Sequence, residues 1–396
     1  MSDITYDFVA PRQIIFGWGR RRELGSLARL LGRRAWLVPG SPLFESCGLL
    51  AVIQESLESS GVECVLLPAI DHEPLVEDVD ELTRLMRRRG TQPGDFLLAI
   101  GGGAAIDLAK ALAGMVTNCV DESQHSVRDY LEGVGRGLRL EHDPLPVLAM
   151  PTTAGTGAEA TRNAVISCYQ PPFKKSLRDW RLMPQIALVD PELSITVPPE
   201  VTASTGMDAI TQLIESYITK RRRLIPQALI LQGVRLAVDW LVKVVKDGAC
   251  RPGREAMSHA ALLSGLALAN SGLGMAHGVA AALGVHCKLP HGLACALMLP
   301  AALKANQSVC TTELAELAQA AFPSKVPAEK PAAASFFIEQ IELMCEAVGL
   351  PRRLSDVGVR REQIPAIVAD SQGTSMQGNP RPISDAELTD ILEGLL

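Results

Sequence analysis

Four short apolar runs, each closing on a turn, constrain this chain most. They are "AWLVPG" (35–40), "ECVLLPAI" (63–70), "GDFLLAIGGG" (94–103) and "LPVLAMPTTAGTGAE" (145–159). Their cores are continuously apolar rather than alternating, so both faces of each strand must be covered. Amphipathic stretches separate them. One is "VEDVDELTRLMRRRG" (76–90), whose final glycine suits a helix C-cap. This alternation predicts a parallel sheet with helices on both faces. The pattern changes after "IALVDPELSITVPPEV" (186–201) and is almost wholly helical from about Ala203. The expected fold is an α/β N-terminal domain over 1–188 and an all-α C-terminal domain over 189–396.

Composition narrows the function. The 396 residues carry a net charge of −6 and only 4% aromatics. That charge is too mild to imply a nucleic-acid or membrane partner, and the aromatics are too few for a base-stacking platform. Nine cysteines lie without a CxxC pair, which reads as free thiols in a reducing cytoplasm. The opening "MSDITYDFVAPRQ" lacks the apolar region of a signal peptide. Between Glu255 and Lys288 no residue is charged at neutral pH, apart from any protonated histidine. That exceeds the roughly 20 residues of a membrane span. It also holds His259, Asn270, His277, His286 and the helix break "ANSGLG", so buried core helices are expected. The basic runs at 20–22, 87–89 and 220–223 read as solvated helix ends.

Two loops suggest a nucleotide. In "AIGGGAAIDLAK" a strand meets three glycines and then a helix, whose first N–H groups can face a pyrophosphate. "PTTAGTGAE" closes another strand at the same sheet edge, where open α/β sheets bind ligands. A second constellation suggests a metal. Asp208 and Gln212 are four apart in "TGMDAITQLIESY", hence on one helix face. His277 and His291 follow in apolar helices fourteen residues apart. Carboxylate, amide oxygen and imidazole all bind divalent metals.

These pieces together resemble the iron-containing (group III) alcohol dehydrogenase family, from about residue 14 to the end. The matching segments include "IIFGWG", "GGGAAIDLAKA", "PTTAGTGAEATRNAVIS", "LVDPELSITVPPEVTASTGMDAITQLIESY", "GLGMAHG", "KLPHGLACALMLP" and "SMQGNPRPISDAEL". The resemblance implies the dehydroquinate synthase-like fold, with a metal and a nicotinamide in a cleft. It also implies hydride transfer between NAD(P)H and a small aldehyde or ketone, or the corresponding alcohol. Gly101, Gly102, Gly103 and Ala104 would lie on the pyrophosphate, with Asp107 and Lys110 following. Thr152, Thr153 and Thr156 would line the phosphates and nicotinamide. The family's metal, iron or zinc, is held by an Asp and three His. Asp208, His277 and His291 match three of these, serving both metal and catalysis, and Gln212 occupies the fourth place.

Two further departures matter. Ala281 stands where a proton-relaying His is usual, with His286 as a substitute. Gly40 stands where an Asp would bind the ribose hydroxyls, which favours NADP over NAD. Glu215 reads as a support of its own helix. Lys174, Lys175 and Arg178 could attract an acidic substrate. The alternatives are a metal-independent reductase of an acidic keto substrate, like maleylacetate reductase, a cofactor-binding protein with an eroded site, and a dehydroquinate synthase-like lyase. The resemblance also suggests a homodimer, with "IIFGWG" as a strand that pairs across it.

Overall fold

The apolar runs form neighbouring strands of one sheet. The computed structural model describes residues 5–119 and 126–396, so the first four residues of the N-terminal stretch lie outside it. The sheet contains β1 (Gln13–Phe16), β2 (Arg34–Pro39), β3 (Glu63–Leu66), β4 (Asp95–Gly101), β5 (Val147–Pro151) and β8 (Ile186–Val189). Its order is β1-β8-β5-β4-β2-β3, and every pair is parallel. A hairpin of β6 (Asn163–Tyr169) and β7 (Pro172–Arg178) forms a separate antiparallel pair.

Helices α1 (Leu24–Leu31), α2 (Leu43–Ser46), α3 (Leu49–Ser59), α4 (Val76–Arg88) and α5 (Gly103–Asn118) accompany the sheet. Successive strand residues point to opposite faces. Trp36, Val38, Leu97 and Ala99 therefore bury against α4 and α5, while Leu37, Leu98, Ile100 and Met150 bury against α1 and α3. Helix α4 ends where Gly90 takes φ +78°, a left-handed conformation that an L side chain rarely adopts.

The chain runs from β2 outward to edge strand β3, then returns to β4 on the other side of β2. The strand order thus reverses between β2 and β4. The carboxyl ends of strands at such a switch point are where open α/β sheets bind ligands.

The rest is helical: α6 (Pro199–Ile218), α7 (Leu224–Lys246), α8 (Arg251–Ala269), α9 (Met275–Cys287), α10 (His291–Asn306), α11 (Thr311–Ala321), α12 (Lys330–Ala347), α13 (Ile364–Ser371) and α14 (Asp385–Gly394). One apolar core joins α6, α7, α8, α11 and α12, and a second joins α9, α10, α13 and α14. The uncharged stretch becomes α8 and α9 with a break between them. No described helix is long and apolar enough to cross a membrane.

The chain divides into two compact units. One comprises Val9–Thr153 and Ala158–Ser194; the other contains Ile195–Leu396, Ala154–Gly157 and a short piece ending at Phe8. Residue 188 itself lies within β8, whose pairing with β1 carries the sheet to Val189. Residues 154–157 group with the helical unit because Gly157 rests on α8. A Cβ on Gly157 would fall 2.4 Å from Ala261 O, and one on Gly265 would fall 2.1 Å from Gly157 O.

Within the sheet unit, Lys110 is fully buried and stitches α5 to the segment leading into β6. It donates to Ala158 O at 3.0 Å and Thr161 Oγ1 at 2.9 Å, and pairs with Asp107 at 2.8 Å. Asp107 also accepts from Val165 N at 3.1 Å. Buried beside this network is Glu159, whose pKa is pushed up to about 7, chiefly by burial and against the pull of Lys110. The folded chain therefore holds this proton more tightly than the unfolded chain, whose value is near 4.5. Folded stability from this group should fall as pH rises from the lower value through the higher one. Glu159→Gln is expected to flatten that decline, checked by denaturant midpoints of both proteins at about pH 5 and about pH 8.

Candidate active site

Helix α6 places Asp208, Gln212 and Glu215 within two turns, all of them buried. Glu215 reaches the N-terminus of α9, where the first N–H groups lack helical partners. Its carboxylate accepts from Ala276 N at 2.7 Å and His277 N at 3.3 Å. It also lies 2.7 Å from His277 Nδ1. Gly274 leaves room for this, since a Cβ there would sit 2.9 Å from Glu215 Oε1. A carboxylate on Nδ1 fixes the proton of a neutral imidazole there and leaves the Nε2 lone pair for a metal. His277 Nε2 faces Asp208 Oδ1 at 3.4 Å.

Helix α10 supplies the remaining groups. A Cβ on Gly292 would fall 2.4 Å from Ser204 O, so the first turn of α10 lies directly on α6. His291 Nε2 comes within 3.7 Å of Asp208 Oδ1. One turn further along α10, Cys295 Sγ is 3.7 Å from His291 Nε2. One donor atom from each of Asp208, His277, His291 and Cys295 lies within 4.8 Å of all the others.

The donor set fits a divalent cation. Asp208 Oδ1 and His277 Nε2 are buried and make no hydrogen bond among the described residues. A buried polar atom left so costs about 1–3 kcal/mol. Asp208 and Glu215 also bring two carboxylates into one buried place. Burial opposes ionisation of Asp208, but the imidazoles of His291 and His277 prevail and hold it below the usual carboxylate range. Burial likewise opposes charge on His277, but Cys295, Asp208 and Glu215 raise it well above the ordinary histidine value. The Cys295 thiol is pushed up to about 12 by burial, with His277 pulling the other way. The cluster calls for positive charge, which a metal would supply.

Gln212 is held by other partners. Its Nε2 donates to Thr156 O at 3.0 Å and to Ser264 Oγ at 2.8 Å. The Ser264 hydroxyl donates its own hydrogen bond to Ala261 O, so both partners are acceptors and the amide nitrogen must face them. Gln212 is therefore a strut between the 154–157 loop and α8. His286, the distant proton-donor candidate, is paired with Asp370 at 2.6 Å. It lies nine residues beyond His277 on α9, roughly 13 Å along the axis.

Two residues at this site carry more than sequence reasoning gave them. Glu215 was read as a support of its own helix, yet it orients His277. Cys295 is, in the sequence, one of nine free thiols. Spacing held the signal for both: seven residues from Asp208 and four from His291 are same-face separations.

At the sheet's switch point, Gly40 follows β2 and Gly101 ends β4. Their backbones touch: a Cβ on Gly40 would fall 2.7 Å from Gly101 Cα, and one on Gly101 would fall 2.8 Å from Ala105 Cβ. Neither position accepts a side chain without displacement, so no carboxylate stands at 40. Gly102 caps α5, with Gly103 and Ala104 as its first residues, and its amide neighbourhood borders Thr153. Thr152 N donates to Gly101 O at 2.9 Å, joining the two loops. Asp107 lies one turn on but is spent on Lys110 and Val165. Lys174 pairs with Glu73 at 2.6 Å and Arg178 with Glu132 at 2.7 Å, which neutralises two of the cations considered for an acidic substrate.

Comparison with known proteins matches the chain along nearly its whole length. A family model described as iron-containing alcohol dehydrogenase matches residues 11–191. One described as Fe-containing alcohol dehydrogenase family, C-terminal, matches residues 202–396. The NAD-dependent methanol dehydrogenase of Bacillus methanolicus is 29% identical, covering 99% of this chain and 100% of that protein. The NADPH-dependent butanol dehydrogenase of Clostridium saccharobutylicum is 29% identical, covering 98% and 97%. The crystal structure of a 1,3-propanediol oxidoreductase superposes with a TM-score of 0.91 at 27% identity, covering 99% of this chain and 100% of that one.

Proposed function

The chain belongs to the iron-containing alcohol dehydrogenase family, and on that premise we propose that it transfers hydride between NADPH and a small aldehyde or ketone, with a divalent metal held by Asp208, His277 and His291. The observation that carries this reading is the buried cluster with its unbonded Asp208 Oδ1 and His277 Nε2. When bound, the metal supplies Lewis-acid stabilisation of the oxygen that gains negative charge, and the nicotinamide supplies the hydride. The chain's own residues do the rest. Asp208 brings the anionic donor, and Glu215 sets the tautomer and direction of His277. Burial of Asp208 and His277 keeps water from competing with them. Gly102, Gly103 and Ala104 at the start of α5, with Gly101 just before them, would hold a pyrophosphate on backbone N–H groups, with Thr152, Thr153 and Thr156 in the neighbouring loop. Asp107, on the next turn of α5, holds Lys110 and Val165 N of β6.

The uncharged Gly40 supports NADPH, because no carboxylate there repels a 2′-phosphate. NADPH is expected to exceed NADH in kcat/KM by about tenfold or more. Stopped-flow oxidation of both cofactors over a panel of small aldehydes and ketones tests cofactor and reaction together. A preference for NADH would remove the role given to Gly40. No oxidation with any substrate would leave a cofactor-binding protein with an eroded site. We also place the protein in the cytoplasm, supported by its nine free cysteines. We further propose a homodimer joined through β1, which forms an edge of the sheet.

A further inference from the structure

We propose that Cys295 is a metal ligand of this chain, filling the place left by the imidazole that Gln212 replaces. The inference rests on the reading that Asp208, His277 and His291 hold a divalent cation, and it deepens it. Three observations carry it. Cys295 and His291 are one turn apart on α10, so the helix that supplies one ligand also presents the other. The thiol is fully buried, yet it lies among the polar donors of the cluster rather than solely in an apolar core. The spacing also suits coordination. Ligand bonds of ordinary length around a tetrahedral centre set donor atoms about 3.3–3.6 Å apart. The measured separations are 3.4 Å for His277 Nε2 to Asp208 Oδ1, 3.7 Å for His291 Nε2 to Asp208 Oδ1, and 3.7 Å for Cys295 Sγ to His291 Nε2. Gln212 has both amide hydrogens committed to Thr156 and Ser264, which leaves its carbonyl oxygen as the one atom it could offer a metal.

Coordination breaks the Cys295 S–H bond, sends the proton to solvent and forms a sulfur–metal bond. A bound divalent cation deprotonates a coordinating thiol outright. A thiolate also makes the site softer, favouring zinc over iron(II).

Cobalt(II) reports the ligand directly. The full-length protein is stripped of metal, loaded with cobalt(II) and examined by electronic absorption, beside Cys295→Ser and Asp208→Asn. The expected result is one cobalt per chain with a thiolate-to-cobalt charge-transfer band in the near ultraviolet. Cys295→Ser should keep cobalt, more weakly, and lose that band. Bound cobalt without the band, or a band that survives Cys295→Ser, overturns the assignment while leaving the metal reading intact. Failure of the unmodified protein to bind cobalt overturns both.

Discussion

Asp208→Asn should leave a folded protein that binds its dinucleotide normally, loses its metal and reduces aldehyde about 10³-fold or more slowly. Asn keeps the size of the side chain and removes the only carboxylate among the cluster's donor atoms. It leaves His277 Nε2 and His291 Nε2 without the anion they face at 3.4 and 3.7 Å. Two neutral imidazoles and one thiolate leave the cation a single anionic donor instead of two, and hold it far less tightly than the full set. Dinucleotide affinity should survive, because Gly101, Gly102 and Thr152 belong to the sheet unit. Isothermal titration of NADPH, elemental analysis and steady-state rates on the same preparation separate these effects. A variant that retains both metal and rate would remove Asp208 from the centre.

Glu215→Gln should lower metal affinity by about 10–100-fold, the usual effect of losing a partner that orients a ligand. Its carboxylate performs two tasks. It receives His277 Nδ1 at 2.7 Å and two amides of the first turn of α9, Ala276 N at 2.7 Å and His277 N at 3.3 Å. A neutral amide presents one acceptor oxygen where the carboxylate presents two. The imidazole or the helix start must then lose a bond, and the Nε2 lone pair is no longer held toward Asp208. A structural role alone would lower the melting temperature equally in metal-loaded and metal-free protein. The orienting role shows instead as a larger fall in the loaded form, measured by thermal unfolding with and without excess zinc.

Much of the fold was legible because it rests on runs that permit one reading. "FLLAI" is apolar throughout and lies in an interior strand at the chain's reversal, with both faces covered. "VEDVDELTRLMRR" keeps a helical period up to its glycine stop. Asp208, His277 and His291 were found because polar residues in apolar helices need a partner, and each could be that partner for the others. Harder to read were residues with an adequate bland explanation. A cysteine in "GLACALMLP" looks like core, and Glu215 looks like a helix support, until α9 and α10 are laid against α6. Gln212 was legible as a changed ligand position, but its partners Thr156 and Ser264 are 56 and 52 residues away, and no local pattern names them. Gly40 was read for the charge it lacks. Its contact with Gly101, which explains why a glycine is there, comes only from the pairing of β2 with β4.

The most direct measurement is the metal content of protein purified without chelator, taken with its NADPH-dependent aldehyde reduction before and after chelation. Stoichiometric zinc or iron, activity lost on chelation and activity regained on adding the metal back is the result this account requires. Protein that is metal-free as isolated, and fully active in the presence of chelator, would contradict it.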